Sequence, residues 1–77
     1  MNKPRRNEIE KIIEELEGLR ERIESVGNEE QEAYDNLPEN LQCGEKGEAM
    51  EQAASDLDDA ASSVGDIIDT LQGILDG

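Results

Sequence analysis

The sequence predicts an all-α fold: an antiparallel two-helix hairpin, coiled-coil-like, that dimerises into a four-helix bundle. Three observations predict it. Apolar residues recur at heptad spacing in two separate runs. The runs are divided by DNLPENLQCGEKG, which holds a proline, two glycines and the only cysteine. Tyr34 is the sole aromatic residue, so the core must be aliphatic.

The first helix is expected over about 7–35. Ile9, Leu16 and Ile23 fall at heptad position a, and Ile12, Leu19 and Val26 at position d. The heptad continues to Glu30, Ala33 and Leu37, and Ile13 and Tyr34 widen the stripe at position e. Asn7 is a candidate N-cap, with Glu10 three residues on as in a capping box. Pro4 then lies outside the helix, and the basic start with Lys3, Arg5 and Arg6 reads as a frayed end. Gly27 followed by Asn28 is the place where a bend or break is expected, since glycine costs a helix about 1 kcal/mol against alanine.

The turn is expected over about 36–45. Pro38 cannot sit in a helix interior and disfavours helical backbone at Leu37. PENLQ can open a short new turn, because proline suits the first helical position. Leu37 and Leu41, four apart, would then cover the end of the hairpin, with Tyr34 beside them.

The second helix is expected over about 46–75. Met50, Leu57, Val64 and Leu71 fall at a, and Ala53, Ala60, Ile67 and Ile74 at d. Position e is apolar as well: Ala54, Ala61, Ile68 and Leu75. Three positions in seven is the pattern of a bundle helix rather than of a two-stranded seam. An a/d seam against the first helix would leave Ile68 and Leu75 exposed. With Val64 and Leu71 they form the expected self-association surface. Gly73 is where fraying is expected. Antiparallel order pairs Ile9 to Leu16 with Ile67 to Ile74, and Ala33 with Met50 or Ala53. Large side chains meet at one end and small ones at the other.

The size of the chain points the same way. Seventy-seven residues bury too little surface to be robust alone. Cys43 has no disulfide partner, and there is no histidine to join it around a metal. Association is the remaining supplement. One cysteine with no secretion signal fits a reducing cytosolic compartment.

The charge is −14 and unevenly placed. Residues 1–22 carry six basic and six acidic groups, whereas residues 23–77 carry Lys46 against fifteen acids. Such a chain repels nucleic acid and anionic membrane and would attract a basic partner. It also has no apolar run long enough to span a bilayer.

The turn with its two flanks, NEEQEAYDNLPENLQCGEKGEAMEQAASDLDDA, resembles a group of small acidic proteins from bacteriophages and other mobile elements of bacteria. That group shares a pattern close to EEQEAFDNLPE-LQ--E-GE-ME-A---LD-A. The resemblance covers roughly residues 28–60 and is most specific in the turn, at Tyr34, Leu37, Pro38, Leu41 and Gln42. It implies a phage-type source, and so a cytoplasmic location in a bacterial host cell, and a helical hairpin. It implies no catalytic activity and supplies no functional residues.

No catalytic constellation is visible, so an enzyme is not expected. A nucleophilic triad needs a base near neutrality, and histidine is absent. Lys46 lies three residues from Cys43 on a glycine-rich loop, which does not fix a reactive pair. No phosphate-binding glycine motif occurs, so no cofactor is expected. SDLDDAASS lacks the glycine of a calcium loop, and a bundle di-metal site would need histidines.

Two functional readings remain. In the first, Glu51, Asp58, Asp59, Asp66 and Asp69 form an acidic outward face on the second helix that engages a basic host protein, imitating a phosphate row as a DNA mimic. In the second, the hairpin is a structural or assembly part, and the acids only keep it soluble.

Overall fold

Asn2 starts the first helix. In the computed structural model, which describes residues 1–77, its side-chain oxygen accepts from the Arg5 backbone N–H at 3.0 Å. Helix α1 runs from Lys3 to Asp35. Pro4 therefore lies inside the first turn, where its missing N–H would have no helical acceptor anyway. The cap is Asn2 rather than Asn7, and the basic start is helical rather than frayed.

The helix passes Gly27 and Asn28 without interruption, so no break occurs there. Packing explains the glycine: a Cβ at Gly27 would stand 3.4 Å from the Leu57 Cβ. The small residue lets the second long helix come close. α1 ends at Asn36, whose backbone N–H donates to Glu32 O at 3.0 Å.

A single helical turn, α2 (Glu39–Gln42), comes next. Pro38 is its N-cap, with extended backbone (φ −57°, ψ 146°), one position earlier than the first-helical-residue placement expected of it. Helix α3 then runs from Glu45 to Asp76 and includes Gly73 in its last turn. Its first turn carries Glu45 and Glu48, where carboxylates suit the positive end of the helix dipole. α1 and α3 pack against each other along a rod of 59 × 15 × 13 Å.

The seam between them differs from the expected one. Ile68 and Leu75 are each 8% exposed, and with Ile13 they form the buried cluster. Ile9, Leu16, Val64 and Leu71 pack around it. Ala54 and Ala61 continue the buried line toward the turn. On α3 the inward edge is thus position e, with position a half-buried, and on α1 the buried residue Ile13 also holds position e.

Position d, expected in the seam, faces out on both helices. Ile67 is 50% exposed and Ile74 43%. Leu19 and Val26 stand out to a similar degree. The expectation that Ile68 and Leu75 would be exposed is therefore corrected. Both sit inside the hairpin, and the open apolar residues are their chain neighbours.

The reason lies in side-chain size. Over the first half of α3 alanine holds both d and e, so the difference lies on α1, where Gly27 at e, beside Val26 at d, lets an a/e seam bring the backbones closer than an a/d seam could. Arg20, also at e on α1, is accommodated because α3 offers Gly65: a Cβ there would lie 3.5 Å from the guanidinium.

Candidate functional site

Three regions could carry function: the turn, the outer surface of α3 and the apolar face left open by the seam. The turn is built by backbone geometry. Leu41 and Gln42 N–H groups both donate to Pro38 O, at 2.8 and 3.1 Å. The Gln42 side chain reaches back and donates to Tyr34 O at 3.1 Å, tying α2 to the end of α1. α3 then passes so close that a Cβ at Gly47 would sit 2.6 Å from the Gln42 carbonyl carbon. Gly47 is buried for that reason.

Leu37 is half-buried at this end, but Leu41 is 45% exposed. The expected two-leucine plug is thus one leucine, with Gln42 and Gly47 completing the closure. Cys43 caps α2 and is exposed.

Tyr34 is half-buried beside the start of α3. Loss of water raises its phenol pKa above 10.0, and the negative charge of Glu51 raises it further. Tyr34 thus stays a neutral hydrogen-bonding group across physiological pH.

Glu51, Asp58, Asp59, Asp66 and Asp69 are all exposed. Asp59, Asp66 and Asp69 occupy positions c and f of the α3 heptad and are turned away from α1, whereas Glu51 and Asp58, at b, flank the a/e seam. The protein's one ion pair is Arg20–Glu24 within α1, at 3.1 Å. The α3 carboxylates therefore have no cation of their own. From Glu51 to Asp69 the helix rises about 27 Å. Glu51 and Asp58 also edge a polar groove of about 510 Å³ between the helices, opposite Glu24 and Gln31. No group of three or more His, Cys, Asp or Glu side chains is arranged to hold a metal ion.

The opposite side of the rod is apolar. Leu16, Leu19, Ile23 and Val26 of α1 face Leu57 and Val64 of α3 across a groove of about 400 Å³. Ile12, Ile67 and Ile74 extend the same surface toward the open end of the hairpin. Of the expected self-association residues, Val64 and Leu71 border this surface and are half-buried, whereas Ile68 and Leu75 are within the seam. The d-position stripe is visible in the heptad, but its outward direction depends on which edge of each helix faces the other.

Arg6 is the residue that sequence reasoning misplaces most. Its guanidinium donates to Leu75 O at 2.6 Å in the last turn of α3. No helix is long and apolar enough to cross a membrane. Comparison with protein-family models, characterised proteins and solved structures gave no match for the chain.

Proposed function

We propose that the protein is a non-enzymatic binding module of phage type. Its acidic exterior engages a basic site on a host protein in the bacterial cytoplasm, in the manner of a DNA mimic. The observation that carries this reading is the set of exposed α3 carboxylates, Glu51, Asp58, Asp59, Asp66 and Asp69, none of which has a cationic partner. Unpaired surface carboxylates keep their field available to an incoming cationic surface, and that field steers encounter. They lie on one rigid helix, so their spacing is held before binding. A DNA-binding defence or regulatory factor is the partner class whose site would accept such a row. The hairpin works in this reading as part of a homodimeric four-helix bundle.

The test is affinity capture from bacterial lysate with the wild type and with a variant carrying Asn at Asp58, Asp59, Asp66 and Asp69. The expected result is a basic, DNA-binding protein retained at low salt, lost as salt rises, and absent with the variant. Identical capture by both proteins would remove the basis of the reading.

A second reading, an assembly part without inhibitory activity, is favoured by the exposed Leu19, Val26, Ile67 and Ile74. It accounts for the apolar face and leaves the acids a solubilising role.

A further inference from the structure

We infer that the open a/d face is covered by a second copy of this chain, laid antiparallel, so that the turn of each hairpin sits at the open end of the other. This rests on the dimeric bundle just proposed and assigns its surface and order.

Ile12, Leu19, Val26, Ile67 and Ile74 are each 37–50% exposed on this one side of the rod. The whole side measures 59 Å by about 15 Å, comparable with the ~800 Å² that each partner gives to a stable interface. The hairpin alone has few buried side chains, and no large one is completely enclosed. A constitutive partner is therefore a condition of stability. The chain always has one at hand in itself.

The chemistry of the face selects the same occupant. Positions a and d from Ile9 to Val26 and from Met50 to Ile74 are all apolar, and Glu30 is the one acid that the heptad places at these positions within the helices. A basic macromolecule finds a single counter-charge there. An anionic membrane surface is repelled by the rest of the protein, which lacks the basic flanks of interfacial helices. A second aliphatic stripe of equal length matches along its whole extent, and the d stripes of both helices lie on one side of the rod, as a self-complementary two-fold contact requires.

Charge and size fix the order. Residues 23–60, the turn half, carry twelve acids against Lys46, net −11. Residues 1–22 and 61–77 carry nine acids against six bases, net −3. Copies with turns together would set −11 beside −11. Copies with turns apart set each −11 beside −3, which lowers the repulsion. The open end is thick with Ile12, Ile67 and Ile74, and the turn end is thin with Ala33, Ala53 and Ala60. Thick over thin keeps the helices evenly spaced and lets the side chains interdigitate.

Sedimentation equilibrium of the wild type, joined with spin-label distances on the native and exposed Cys43, tests this without a mutation. The expected result is a dimer whose two labels are separated by a distance comparable to the 59 Å rod. A monomer at high micromolar concentration would overturn both the dimeric reading and the inference. A dimer with labels closer than half the rod length would overturn the inference alone. A third arm uses Ile67→Glu and, separately, Glu10→Gln as a surface control. Ile67→Glu should shift the protein to monomer, with or without loss of helix, and Glu10→Gln should not. A dimer that survives Ile67→Glu would show that the a/d face is not the contact.

Discussion

The Arg6 guanidinium donates to the Leu75 carbonyl oxygen at 2.6 Å, joining the first turn of α1 to the last turn of α3 across 69 positions of sequence. Leu75 O is one of the terminal carbonyls that a helix cannot satisfy internally. α3 has no basic residue of its own in that turn, so the cation that suits its negative end comes from the other helix.

A charge-assisted hydrogen bond of this kind, partly exposed, contributes about 1–2 kcal/mol. Arg6→Ala should lower unfolding stability by that amount in urea titration. Hydrogen exchange should quicken in the last turn of α3 and stay slow around Ile13. No change at either place would mean that the contact carries no weight.

Glycines divide by what surrounds them. A Cβ at Gly47 would collide with the Gln42 backbone, which cannot move aside as a flexible side chain could. Gly47→Ala should therefore cost about 1–3 kcal/mol through overpacking. Gly18 and Gly73 have open space on that side. Alanine at either should raise stability by up to about 1 kcal/mol through helix propensity. Thermal melts of the three variants check the opposite signs.

Tyr34 should titrate above 10.0, since partial burial disfavours phenolate and Glu51 repels it. A folded-state value above the unfolded one means that neutral Tyr34 contributes stability that is intact below the unfolded value. That contribution is lost as pH climbs through the folded value. Ultraviolet titration of the phenol gives the midpoint directly. Glu51→Gln should bring it down toward 10.0, and a wild-type midpoint at or below that value would contradict the placement of Glu51.

Salt should move the two proposed associations in opposite directions. Each copy carries −14, so added salt screens the repulsion between copies and tightens the dimer. Capture of a basic partner by the acidic face should weaken over the same range. Sedimentation and capture measured across one salt series would separate the apolar contact from the acidic one, and a dimer that loosens with salt would speak against an apolar interface.

Much of this fold is legible in the sequence. Heptad spacing shows two long helices, Pro38 shows where the chain turns, and the large residues from Val64 to Leu75 show which end is thick. The edge of the stripe that faces inward is not legible. With a, d and e all apolar on α3, counting cannot choose between an a/d and an a/e seam. The choice comes from backbone approach, through Gly27 against Leu57 and Arg20 over Gly65, and those contacts exist only once both helices are placed. The first cap is misread because Asn7 has a capping-box partner and Pro4 looks like a boundary, although proline is welcome in a first turn. Arg6 cannot be assigned from its neighbours, because its acceptor is at the far end of the chain. Asp59, Asp66 and Asp69 are readable as outward from the heptad alone, since positions c and f point away under either seam, whereas Glu51 and Asp58, at b, border the groove that an a/e seam opens.

Methyl-to-methyl nuclear Overhauser contacts within one chain, collected on an isotope-mixed sample that filters out contacts between copies, test the a/e seam most directly. Ile13 should show contacts to Ile68 and Leu75, and Ile12 should show none to Ile67 or Ile74. Intrachain contacts joining Ile12 to Ile67, with Ile13 and Ile68 silent toward each other, would restore the a/d seam and contradict the placement of the apolar face.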